Sequence, residues 1–140
     1  MQEAELAHVG YLAADLDAAV QDLQSALGLT VARTLELPQF SLTAVFLGAG
    51  SGNVEIFTFT DSALLDARLA GRALVLDHAA LIVDDIRARM AAMAAAGTRF
   101  AGPDGRGRGE EPFELGGALH AWSVAGAGTP WSMQLIQPNA

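Results

Sequence analysis

Apolar positions along the chain follow two periods, and the switch from one to the other occurs twice. An apolar stretch at residues 6–14 predicts a strand, and Asp15 after it offers a carboxylate to the open amides of a following helix. Leu16, Ala19, Val20, Leu23 and Leu27 then recur at steps of three and four, which predicts one apolar helix face, and Gly28 is placed to stop the helix. The pattern restarts at Leu76, reaches Asp85, and continues through Ile86, Met90, Met93 and Ala94 to Gly97. At this spacing the methionines and alanines fit core packing. Three strand candidates follow each helix, at residues 30–34, 41–47 and 53–59, and again at 98–101, 119–124 and 131–136. The repeat unit is strand, helix, strand, strand, strand.

The two copies align without a gap. Leu6-Ala7-His8-Val9-Gly10-Tyr11-Leu12-Ala13-Ala14-Asp15 lies against Leu76-Asp77-His78-Ala79-Ala80-Leu81-Ile82-Val83-Asp84-Asp85. Glycine-rich turns separate the last two strands of each copy, Gly48-Ala49-Gly50-Ser51-Gly52 in one and Gly126-Ala127-Gly128-Thr129-Pro130 in the other. The expected organisation is one α+β domain over residues 1–140, with module one at about 5–60, a short helical connector at about 61–74 and module two at about 75–137. Residues 102–112, rich in glycine, proline and charge, break both periods and predict an exposed, mobile loop.

Composition narrows the function classes. The 140 residues carry 16 acidic and 8 basic side chains, a formal charge of -8, with no cysteine. That excess of negative charge disfavours nucleic acid and anionic membrane surfaces, and no apolar run approaches the 18 or so residues needed to span a bilayer. Absence of cysteine removes thiolate nucleophiles and Cys-rich zinc sites. The acidic opening Met1-Gln2-Glu3-Ala4-Glu5 lacks the features of a secretory signal, which makes the cytoplasm the expected location.

Candidate chemistry comes from polar residues set in apolar strands. His8 and His78 occupy equivalent points of the two copies, and strand parity puts each on a face with apolar neighbours. Glu55 shares a side with Phe57 and Phe59, and a carboxylate so placed needs a partner. Its counterpart in the second copy is Gln134. Brought together, two imidazoles, a carboxylate and an amide oxygen could hold a divalent ion with two positions open to substrate. Each residue also has an ordinary reading: histidines satisfied by local hydrogen bonds, Glu55 on an exposed edge, Gln134 capping a ladder.

His8-Val9-Gly10 before Asp15-Leu16, Leu27-Gly28, Val54-Glu55-Ile56, His78 before Val83-Asp84-Asp85-Ile86, and Gln134-Leu135-Ile136-Gln137 together resemble the vicinal oxygen chelate superfamily, which includes glyoxalase, bleomycin-resistance and dioxygenase proteins. The resemblance covers nearly the whole chain and is nearest the methylmalonyl-CoA epimerase and glyoxalase I branch. It implies two tandem βαβββ modules forming a cupped, partly closed mixed sheet with helices outside. It also implies one divalent ion, whether Zn, Ni, Co, Mn or Fe, on His8, Glu55, His78 and Gln134, a small-molecule substrate, and a homodimer.

Relatives usually carry a glutamate where this chain has Gln134, and an amide cannot accept a proton. Glu55 is therefore the remaining candidate base. The place of a second epimerase base holds Pro38-Gln39-Phe40, without a carboxylate, which disfavours a two-base epimerase. His120 is a further candidate proton shuttle, since an unperturbed imidazole titrates near neutral pH. Phe57 and Trp122 are candidate pocket walls, and Arg106 and Arg108 candidate clamps for a substrate anion, although packing and a solvated loop account for them too. The leading expectation is a metal-dependent lyase or isomerase acting through a metal-stabilised enolate. A non-enzymatic antibiotic-binding protein and an iron-dependent dioxygenase are the alternatives.

Overall fold

The computed structural model describes residues 2–125 and 132–139, among which lie three α-helices and nine strands in a mixed α+β arrangement. The expected turn at residues 126–130, and Trp131, fall outside the described residues. Contacts divide the chain into two compact units, one running His8–Asp77, the other joining the residues up to Ala7 with those from His78 onward.

The first unit takes most of β1 (Glu5–Ala13), then α1 (Leu16–Leu27), β2 (Val31–Leu37), β3 (Leu42–Leu47), β4 (Val54–Phe59), α2 (Ser62–Leu69) and the opening of β5 (Leu74–Ile82). Its strands lie in the order β2-β3-β4-β1, antiparallel except for the β1/β4 pair. Asp15 caps α1 by accepting from the Ala18 amide at 3.0 Å, and Gly28 ends it at φ 67, as the apolar period predicts. The helix lays Leu16, Ala19, Val20 and Leu23 over Ala13, Leu47 and Ile56 on one face of the sheet, while Leu27, the last of the periodic set, stays exposed. The opposite face is thereby left for other use. The connector is helical, as expected, capped by Asp61 through the Leu64 amide and held by an ion pair of 2.5 Å between Arg68 and Asp77. A 3-10 turn at Pro38–Phe40, ending in a left-handed Ser41, joins β2 to β3.

The second unit continues β5 and adds α3 (Ile86–Ala95), β6 (Arg99–Ala101), β7 (Phe113–Leu115), β8 (Ala118–Val124) and β9 (Ser132–Pro138). Its strand order is β5-β9-β8-β6, with β7 also on β8 and β5/β9 the parallel pair. Val83, Ile86, Met90, Phe100, Ala121 and Leu135 form its core, against which Met93 and Ala4 pack. Residues at the chain's start are tied here, the Gln2 amide donating to Asp84 at 3.1 Å and the Arg89 guanidinium to the Gln2 carbonyl. That bond from Gln2 is the main reason the exposed Asp84 carboxyl sits below the usual carboxylate range.

The segment expected as an exposed loop is only partly so. Gly102, Pro103 and Gly109 are buried, and the turn is closed by hydrogen bonds from Gly102 to Arg106 and from Gly105 to Gly102. Gly109 passes so close to Ala101 that a Cβ would stand 2.6 Å from its nitrogen.

Candidate metal centre

In the first unit the site is organised by cross-strand register. Gly10 pairs with Glu55, Glu55 with Phe46, and Phe46 with Arg33, so these four residues form one row across β1, β4, β3 and β2. Paired residues project to the same side of a sheet, and residues two apart along a strand share that side. His8 and Phe57 therefore join the row's face, while the alternate residues Val54, Ile56, Val45 and Leu47 face α1. His8 is 5% exposed and Glu55 6%, with His8 Nε2 3.5 Å from Glu55 Oε1. Phe46 meets the His8 ring edge-on at 5.2 Å, and Phe57, buried, meets Phe59 the same way. Two donor atoms bound at right angles to one ion stand about 3 Å apart, given metal–ligand distances of about 2.1 Å, so the His8 and Glu55 atoms are close to that spacing.

The second unit repeats the arrangement. Ala80 pairs with Gln134 and Gln134 with Trp122, and His78 lies two residues before Ala80 just as His8 lies two before Gly10. Each half thus carries a row of small residue, polar donor and aromatic, with a histidine beside it. His78 and Gln134 are 8% and 7% exposed. Gln134 Nε2 lies 3.0 Å from Nδ1 of His120, whose ring stacks on Trp122 at 5.7 Å and an interplanar angle of 12°. Phe113, brought to β8 by β7, lies 5.7 Å from the Trp122 ring on its own.

His8 and Glu55 in the first unit and His78 in the second are all buried, and each is a donor type that could bind a metal ion. Two imidazoles and one carboxylate suit zinc, iron, cobalt, nickel or manganese, which fits the divalent ion expected from the sequence. The expected clamps Arg106 and Arg108 are exposed side chains of the 102–112 segment. The stretch Pro38-Gln39-Phe40, expected to lack a second base, forms the 3-10 turn, with Pro38 and Gln39 exposed and Phe40 half-buried.

Two features escaped the sequence reading. Arg33 places its guanidinium 3.7 Å from the centre of the Phe46 ring, at the far end of the Glu55 row. A register irregularity between Val31 and Arg33 sets that position, and no local sequence signal marks it. The other is the bond between His120 and Gln134, which joins diagonal neighbours and follows only from the β8/β9 register.

Residues 7–113 match the family model described as Glyoxalase/Bleomycin resistance protein/Dioxygenase superfamily. Among solved structures, methylmalonyl-CoA epimerase from Mycobacterium tuberculosis is similar with a TM-score of 0.78 and 17% identity, over 100% of this chain and 94% of that one. A hypothetical protein from Bacillus halodurans C-125 gives 0.79 and 16%, over 99% and 97%. A methylmalonyl-CoA epimerase in complex with methylmalonyl-CoA and ammonium gives 0.75 and 17%, also over 99% and 97%. At these identities the likeness is one of fold. No curated protein matches the chain.

Proposed function

The chain belongs to the Glyoxalase/Bleomycin resistance protein/Dioxygenase superfamily, and from that premise we propose that it is a metal-dependent lyase or isomerase acting on a small substrate that chelates through two oxygens. The observation that carries the proposal is the repeated row, Gly10–Glu55–Phe46 in one half and Ala80–Gln134–Trp122 in the other, each beside a buried histidine. In this reading His8, Glu55, His78 and Gln134 hold one divalent ion. Such an ion, when bound, supplies Lewis acidity, drawing negative charge onto a substrate oxygen.

The chain's own residues do the rest. Glu55 is the one anionic donor of the four and takes the proton from the substrate carbon, whereas the Gln134 amide has no basic lone pair to offer and serves as a neutral ligand. Burial of Glu55 beside Phe46 and Phe57 keeps water from competing for that proton. Arg33, exposed at the end of the row, offers a positive charge to an anionic group of the substrate. An acyl thioester is the first substrate class to try, because a structural neighbour binds methylmalonyl-CoA, and a keto acid is the second.

Leu6 and Leu76, equivalent in the two repeats, are 64% and 65% exposed, which supports the pairing of two copies of the chain. Size-exclusion chromatography with light scattering tests that. The same two histidines and one carboxylate also make the donor composition of a facial triad, so an iron-dependent oxygenase is the second reading, tested by oxygen consumption with iron against zinc.

Elemental analysis of the purified full chain, after dialysis and re-addition of manganese, iron, cobalt, nickel and zinc, decides the metal. About one ion per chain, lost in His78→Ala and in Glu55→Ala, supports the proposal. No stoichiometric metal under any of these conditions overturns it.

A further inference from the structure

The Gln134 side chain has two unlike ends, an oxygen that can accept from a donor or bind a cation, and an NH2 that can only donate. A carboxylate at the same place presents an oxygen whichever way it turns. An amide presents one only if something holds the NH2 elsewhere, and a wrongly turned amide sets hydrogens against the ion. Among the described residues of the second unit, His120 meets that need. His120 lies on β8 diagonal to Gln134 on β9, with Nδ1 3.0 Å from Gln134 Nε2. Since the amide nitrogen donates, Nδ1 accepts, and the ring's own hydrogen sits on Nε2.

His120 is itself held. Its ring lies nearly parallel to that of Trp122, at 12° and 5.7 Å between centres, and Trp122 is the direct cross-strand partner of Gln134. Phe113 lies 5.7 Å from the Trp122 ring, with β7 on β8 supplying it. The aromatic ladder holds the imidazole, and the imidazole engages the NH2 end of the amide rather than its Oε1 end.

We propose that His120 is a positioning residue that sets the orientation of the Gln134 amide, so that an uncharged side chain serves as an oxygen ligand where a carboxylate would need no such help. The proposal rests on the metal reading above and adds a role for a residue that does not touch the ion. It assigns His120 a task distinct from proton transfer, and it makes the pair Gln134 and His120 one functional unit.

The test is a double substitution read by cobalt(II) affinity, measured by titration calorimetry and by the visible absorption of bound cobalt, on the full chain. His120→Phe keeps a ring to stack on Trp122 and removes the acceptor; His120→Leu carries the same comparison if the phenylalanine variant does not fold. In the Gln134 background the expected result is a loss of affinity of about 10-fold or more, the usual effect of removing an outer partner of a ligand. In the Gln134→Glu background, where both ends are oxygens, the same change at His120 is expected to cost less than about 2-fold, the orientation effect having vanished. Equal losses in the two backgrounds, or no loss in either, overturn the positioning role and leave the metal reading standing. Failure of the unaltered protein to bind cobalt overturns both.

Discussion

Two glycines share a backbone conformation and differ in the space around them, which separates two costs that usually arrive together. Gly28, after α1, has φ 67 with nothing within 4 Å of the place a Cβ would occupy. Gly52, in the turn before β4, has φ 78, but a Cβ there would stand 2.9 Å from Phe46 Cβ and 3.1 Å from both Ala32 Cβ and the Phe46 carbonyl carbon. Left-handed backbone costs a residue with a side chain about 1–2 kcal/mol, offset by about 0.4–1 kcal/mol because alanine restricts the unfolded chain. Gly28→Ala should therefore lose about 1.5 kcal/mol or less. Gly52→Ala adds overpacking of about 1–3 kcal/mol against Cβ atoms and a carbonyl carbon fixed to the strands, for a total of about 1–4.5 kcal/mol. With a urea dependence of about 2 kcal/mol per molar, the unfolding midpoint falls by about 0.8 M or less in the first variant and by about 0.5–2 M in the second. Because Phe46 also contacts the His8 ring, Gly52→Ala should weaken cobalt binding while Gly28→Ala leaves it unchanged. Equal midpoints for the two variants would refute the reasoning, since they would show that the close approach at Gly52 is relieved at no cost.

Gly109→Ala should destabilise by about 1–3 kcal/mol through its contact with the Ala101 backbone, lowering the thermal midpoint by roughly 3 °C per kcal/mol, whereas Gly107→Ala, with open space around it, carries backbone strain alone. Asp84, whose carboxyl is held below its ordinary value by the Gln2 amide, stabilises the attachment of the chain's start above that ordinary value, and the effect is lost as pH falls through the folded value. The stability gap between the native protein and Asp84→Asn should accordingly be present at pH 7 and close on acidification from about pH 5 toward pH 2. A gap that widens on acidification would contradict this.

Residues with one-dimensional signals were legible in the sequence. Asp15 and Asp85 cap their helices, Gly28 ends the first, and the placement of His8 and His78 in equivalent strands shows in the structure as two equivalent rows. What depended on pairing was not legible. β7 is three residues long in a stretch dominated by glycine and proline, too short for an alternation to register, and it exists because Phe113 pairs with His120. Burial of Gly102, Pro103 and Gly109 reverses the exposure that their composition suggests, because the turn folds back onto Ala101. The 3-10 turn at Pro38–Phe40 is closed by Ser41 at φ 53, a residue type that carries no strong signal for that conformation. His120 was legible as an imidazole on a strand, yet its partner depended on which residues β8 sets diagonally across from β9.

The division of contacts does not follow the division of the sequence. Residues up to Ala7 belong with those from His78 onward, so β1 begins in one compact unit and ends in the other. A nascent chain leaving the ribosome therefore carries an opening segment whose partners, Asp84 and Arg89, have yet to be synthesised. Cutting the gene at the connector would leave Gln2 and Ala4 on one fragment and their partners, Asp84, Arg89 and the second core, on the other. Duplication of an ancestral module would explain the resemblance of the halves, and this exchange of ends would make the duplicated chain inseparable afterward.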